Sequence, residues 1–301
     1  MRIRTRNVAL TEGIMAGVLF GTAAVLIRFL QSLNAFSIAF WRLIIASLAL
    51  AVLLVLLRKS FSFDLVRKNV KDLLILSFFL SLHFIFFVSA VKDTTILNAT
   101  VLVNTTPIFS MLVSFLFKLK PSRIALVGLV ISFVGVSMIA YAETLTANEG
   151  SFAMGYSPSL KGDLEAVLAA LVEAFYLNYG RRIRSQMNVL SIMAPMYLFT
   201  AIMVAMLSIP ISSNVVSLPT NLGVVLVLVG LGVIPTAIAH TLYFSSLSNL
   251  KSFETATMAL LEPIGAIILG VSLFREIPAP LFVFGAALIL VGIFFVVRNR
   301  S

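Results

Sequence analysis

Apolar runs of about twenty residues follow one another along almost the whole chain, separated by short segments that hold most of its charge. A helix rising ~1.5 Å per residue crosses ~30 Å of hydrocarbon in about that length. Ten runs are delimited, near 8–30, 35–57, 72–91, 95–117, 122–142, 162–182, 189–210, 221–247, 253–274 and 279–297. A backbone in lipid has no water to satisfy its N–H and C=O groups, so each run is predicted to be helical. Most are apolar all round, as helices embedded in lipid are. Hydrophobic residues make up 60% of the chain and charged residues 11%, against roughly 25% charged in soluble proteins.

The pattern occurs twice. Glu12 and Arg28 bracket the first run, and Glu165 and Arg181 bracket the sixth at the same spacing, 153 positions later. Pro107 lies within the fourth run and is followed by Gly128 and Gly135; Pro263, Gly285 and Gly292 repeat this at an offset of 156 to 157. Five runs per copy is an odd number, so the second copy enters the bilayer from the opposite side. The predicted fold is an all-α integral membrane protein of ten transmembrane helices, a 5+5 inverted repeat around a central cavity. An N-terminal five-helix repeat occupies 1–142, an external linker 143–161, and a C-terminal five-helix repeat 162–301. The prolines are expected to bend the middles of spans four and nine. The stripe Gly13, Gly17, Gly21 is expected to pack against a neighbouring helix, or to mark a dimer seam or moving gate.

The net charge of +10 is no sign of nucleic-acid binding, because the basic residues cluster between apolar runs instead of along one face. With the N-terminus in the cytoplasm, seventeen of the 22 lysines and arginines fall in inner loops and tails, four fall outside, and Arg42 lies within a span. That bias places both termini inside, in a multi-pass protein of the cell membrane. Basic loops then face an anionic inner leaflet. The arginines ahead of the first run resemble a signal peptide, but the run is long and contains Glu12, so it is read as a retained span. Asn98 and Asn104 begin glycosylation sequons inside a span and are chance matches.

Several chemistries have no residues to carry them. There is no cysteine, the two histidines are far apart in sequence, and no P-loop occurs. No aspartate lies deep in a span, as an intramembrane protease needs, and no mid-span lysine is available for retinal. No catalytic residue, metal or cofactor is expected.

Ionisable groups at membrane depth cost roughly 2.5–3.5 kcal/mol each on the insertion scale, so they face partners or water. Glu173 and Glu262 lie about two turns inside their spans. Each is either a proton or cation carrier or a structural hydrogen-bonding group, Glu262 beside Pro263 being placed for both. Arg42, after Trp41, is either an anchor for a solute carboxylate or phosphate, or a snorkelling structural cation. His83 and His240 occupy comparable depths and are either satisfied bundle residues or proton and anion sites. Asn104, Tyr176, Tyr197 and Tyr243 offer hydrogen bonds to a solute or between helices. The candidate solute-binding set is Arg42, His83, Asn104, Glu173, Tyr176, His240, Tyr243 and Glu262.

Together these features resemble the drug/metabolite transporter superfamily, and within it the EamA-type permeases. The resemblance rests on Gly17-Val-Leu-Phe-Gly21, with Phe20 where the family usually has Trp, on Phe40-Trp41-Arg42, on Asn104-Thr-Thr-Pro107 and Leu260-Leu-Glu-Pro263, and on the paired glycines of spans five and ten. It implies a central chamber lined mainly by spans 1, 3, 4, 6, 8 and 9, which would bring His83, Asn104, Glu173, His240 and Glu262 together. A family acid often found at the end of span four is missing here, where Lys118-Leu-Lys120 stands. The resemblance implies a secondary active or exchange transporter, an exporter of small metabolites such as amino acids or amphiphilic compounds. The alternative is an exchanger of anionic metabolites or nucleotide sugars, with an intramembrane enzyme or non-transporting receptor further behind. Expected partners are a small-molecule substrate, the bilayer and protons as coupling ion, with the protein a monomer or homodimer.

Overall fold

A computed structural model describes residues 5–57, 63–117, 121–147, 159–184, 188–212, 214–266 and 280–298, and among them it is helical with no strands. Most of the linker at 143–161, the end of span nine, Lys118, Lys120, Arg275 and Glu276 lie outside the described residues. The first half contains α1 (Arg6–Arg28), α2 (Ala35–Leu56), α3 (Phe63–Lys68), α4 (Val70–Asp93), α5 (Ile96–Val103), α6 (Thr106–Leu116) and α7 (Arg123–Ala147). The second contains α8 (Leu160–Arg184), α9 (Val189–Ser208), α10 (Leu222–Leu231), a π-helical segment (Gly232–His240), α11 (Thr241–Ser246), α12 (Ser252–Met258), a 3₁₀ turn (Ala259–Leu261) continuing through 262–266, and α13 (Pro280–Arg298).

Among the described residues, six helical stretches are long and apolar enough to cross a membrane: Arg6–Arg28, Ala35–Leu56, Val70–Asp93, Asn98–Leu116, Val189–Ser208 and Leu222–Ser246. Shorter apolar helices include Arg123–Ile139 and Val283–Arg298. Polar residues at the edges of the runs start these helices. The side chains of Asn34, Thr95 and Asn221 accept from the backbone N–H three residues on, at 2.7, 3.1 and 3.2 Å, which satisfies a donor the helix cannot.

Pro107 does not sit in the middle of an unbroken bent helix. The fourth run stops at Val103 and restarts as α6, with Pro107 in its first turn, where a missing N–H costs nothing. Asn104 and Thr105 occupy the break. In the ninth run the 3₁₀ turn precedes Glu262 and Pro263. The apolar eighth run, expected to be a plain helix, contains the π segment, with Pro235 inside it.

Glycines set the closest helix contacts. A methyl group on Gly128 or Gly135 of α7 would stand 2.6 Å from the carbonyl oxygen of Gly292 or Gly285 of α13. Gly128 meets the later glycine and Gly135 the earlier, so the two helices run antiparallel. The stripe in α1 packs internally: Gly13 and Gly17 lie against Met258, and Gly21 against Glu262 and Gly265. On the other side, α8 packs on α5 and α6, where Asn178 Nδ2 donates to Ser110. The first helix of each half thus packs on the broken helix of the other half.

Candidate functional site

The two breaks and the π segment converge on one cavity. It is lined by Phe20, Ala23, Arg42, His83, Phe87, Val103, Asn104, Glu173, His240, Ala259 and Glu262. Six of the eight sequence candidates are in this lining, three from each half of the chain. Six of the eleven lining residues are polar or ionisable and five are aromatic or aliphatic, a larger polar share than small-molecule sites generally carry. About 40 Å³ is open to the centres of water-sized molecules, room for roughly three waters.

Breaking a helix frees backbone groups and brings side chains to mid-run. At the first break the Thr106 hydroxyl lies 3.1 Å from Glu173 Oε2 and 2.7 Å from the Val103 carbonyl, its one proton shared between the two acceptors. His83 Nδ1 is 3.1 Å from the Ala169 carbonyl, which only accepts, so that nitrogen carries its proton; Glu173 Oε2 is 3.7 Å from the same atom. At the second break Glu262 Oε2 accepts from Asn104 Nδ2 at 3.4 Å. Each carboxylate is therefore held through one oxygen by a residue from the first half.

Arg42 comes from α2 and is 1% exposed. Its Nε donates to Thr236 Oγ1 at 2.9 Å, and its guanidinium lies 4.3 Å over the Phe84 ring, a cation–π contact. Thr236 donates in turn to the Leu231 carbonyl five residues back, a bond the π segment makes available, and its own carbonyl accepts from Tyr197. His240 closes the segment. Its ring lies 4.8 Å from Phe20, 4.9 Å from Phe84 and 5.9 Å from His83.

Two candidates lie off the lining. Tyr176 is buried with its hydroxyl toward Met193 Sδ and its ring against Phe244. Tyr243 packs edge-on to Phe20, 5.2 Å away, one layer behind the wall. Tyr197 bonds between helices, to Thr236 and Thr241. Sequence reasoning missed Thr106 and Thr236 as supports and Phe87 as wall. The available signal for both threonines was a proline beside each.

Polar contacts also tie the ends of the helices. Arg6 donates to Glu254 at 2.6 Å and to the Val297 carbonyl at 2.8 Å. At the start of α8, Asp163 accepts from Thr94 at 2.9 Å and Asn98 at 3.1 Å, while Lys161 pairs with Asp93 at 2.6 Å. The hydrogen bond to Asp93 raises the Lys161 pKa above its ordinary value.

Apolar helices of spanning length around a buried cavity define a multi-pass membrane protein. The sequence model of the EamA-like transporter family matches twice, over residues 9–141 and 160–298. The chain belongs to that family, within the drug/metabolite transporter superfamily, whose members move small molecules across membranes. No curated protein matches it significantly. A solved structure described as "Crystal structure of protein" superposes with a TM-score of 0.78 over 99% of this chain and 100% of that chain, at 20% identity. At that identity the likeness is one of fold.

Proposed function

We propose that this chain is a secondary transporter that exports small organic metabolites, amino acids or amphiphilic compounds among them, across the cell membrane by alternating access. Its ten helices form two inverted repeats of five, with repeat boundaries near 142 and 162 and both termini in the cytoplasm. The observation that carries the reading is the cavity: Arg42, His83 and Asn104 from one half and Glu173, His240 and Glu262 from the other face one space. A solute there touches both repeats, so rocking one against the other re-exposes the site on the opposite side.

Further features support parts of this reading. The antiparallel glycine contact between α7 and α13 suits repeats of opposite orientation. The cavity admits only about three waters, so a metabolite enters after the halves part. Glu173 and Glu262 supply carboxylates for proton coupling. Exchange of anionic metabolites is the second reading, favoured by Arg42 on the wall.

Reconstitution tests the proposal. Proteoliposomes carrying the protein should show counterflow of at least one member of an amino-acid and amphiphile panel, driven by a preset solute or pH gradient. Monodisperse protein that moves none of them under either gradient rejects it.

A further inference from the structure

The cavity wall carries an unanswered positive charge. Among the described residues no carboxylate lies within 4.0 Å of the Arg42 guanidinium, and its buried Nη1 has no hydrogen-bond partner. The Nδ1 of His240 and the hydroxyl of Tyr243 are likewise buried without a partner. These atoms belong to one neighbourhood: Phe84 touches both the guanidinium and the His240 ring, and Tyr243 lies 6.4 Å from that ring. Buried polar groups are normally satisfied, and a buried unpaired charge is costly. Arginine has only donors, and the imidazole and phenol donate as readily as they accept. The Arg42 Nη1 donor calls for an acceptor, which the imidazole beside it can also meet as a donor, and the fixed cation calls for an anion.

The acids on the same cavity do not supply it. Glu173 is held by Thr106, beside His83, and Glu262 by Asn104. The cavity therefore holds a cation and two acids that do not pair with it, with Phe20 and Phe87 also lining the space.

We propose that Arg42 and His240 form the subsite for an oxyanion of the solute, and that Glu173 and Glu262 take its ammonium group, so that the cargo carries both charges. This rests on reading the cavity as the solute site. The fixed guanidinium selects for the oxyanion, and the carboxylates for the cation.

Matched probes decide the matter in thermal-unfolding titrations of purified full-length protein. L-leucine carries both charges, L-leucinamide lacks the carboxylate, 4-methylpentanoate lacks the ammonium, and O-phosphoethanolamine replaces carboxylate by phosphate. The wild type is expected to be stabilised by leucine or by phosphoethanolamine, which identifies the oxyanion, and at least about 30-fold more weakly by leucinamide. Arg42→Met should lose that preference while its ligand-free melting temperature stays level or rises, because an uncompensated charge has been removed. Leucinamide matching leucine, silence from all four probes, or an Arg42→Met protein that melts several degrees lower with its probe response intact overturns the subsite. Counterflow separates this from the transport reading: wild-type flux of solutes lacking any oxyanion, undiminished in Arg42→Met, sinks the subsite and leaves the transporter standing.

Discussion

His83 and His240 are separated by 157 positions in the chain, and their ring centroids stand 5.9 Å apart on the cavity wall. The same interval separates Gly128 from Gly285, Gly135 from Gly292, and Ser132 from the Ile289 whose carbonyl its hydroxyl reaches. Residues in matching places of the two halves thus meet at two separate contacts, as a local two-fold axis through both would require. The chemistry breaks the symmetry. Glu173 corresponds to Phe20, and Glu262 to Thr106, by the offsets of their segments. The Thr106–Glu173 hydrogen bond on one side therefore matches Phe20 and Glu262 on the other. One acid comes from a first helix and the other from a broken helix, which gives a symmetric frame an asymmetric site.

Glu262→Gln separates a charge-carrying role from a structural one. The amide keeps an oxygen for Asn104 to donate to, so thermal stability should change by no more than about 1 kcal/mol. If the carboxyl exchanges protons with cargo, solute-driven pH change in proteoliposomes should collapse while solute counterflow persists. Coupled proton movement at the wild-type rate would reduce Glu262 to a partner for Asn104.

Leucine in place of Gly135 should damage folding. The new side chain meets the Gly285 carbonyl and Ile289 with no room to give, and overpacking of this kind costs about 1–3 kcal/mol or more. Gly230, where an added Cβ meets only the Leu26 side chain at 3.8 Å, is the control: leucine there should be tolerated far better. Melting temperature and elution profile in detergent report both. Equal behaviour of Gly135→Leu and Gly230→Leu would remove the close glycine contact as a determinant of the fold.

Six of the ten runs were legible as helices of spanning length because lipid leaves the backbone no alternative, and because helices start at capping residues such as Asn34, Thr95 and Asn221. The cavity lining was legible in its ionisable members, since a charge at membrane depth must point somewhere polar. Geometry across helices was not legible. Nothing in an all-round apolar run distinguishes a π segment at Gly232–His240 from an ordinary helix, although Pro235 removes a donor there. Glu173 and Tyr176 are three positions apart on one helix, yet one reaches the cavity and the other faces Met193 and Phe244. Arg6 and Glu254 pair across 248 positions, which no local pattern announces.

The Arg6–Glu254 pair should couple the chain's start to the cap of α12. Glu254 also accepts from the Lys251 N–H at 2.7 Å, so Glu254→Ala removes the ion pair and the helix cap together. Arg6→Ala leaves the cap in place. The first should cost about 2–4 kcal/mol and the second about 1–2 kcal/mol, with the double variant well short of their sum. Additive losses in a thermal or denaturant series would show that the two residues act independently.

Thr236→Val tests whether the π segment and Arg42 are energetically one unit. Valine keeps the volume and deletes the hydroxyl that accepts from Arg42 Nε and donates to the Leu231 carbonyl. Arg42 then has another buried donor without a partner, and the loss should be about 1–3 kcal/mol. Most of that penalty comes from stranding the guanidinium, so combining Thr236→Val with Arg42→Met should recover much of it. Tyr197→Phe removes a bond to the same segment but not to Arg42, and Arg42→Met should not rescue it. A double-mutant cycle with no coupling between positions 42 and 236, or with equal coupling between 42 and 197, would mean that the arginine is held by its aromatic neighbours and that the π turn is a passive kink.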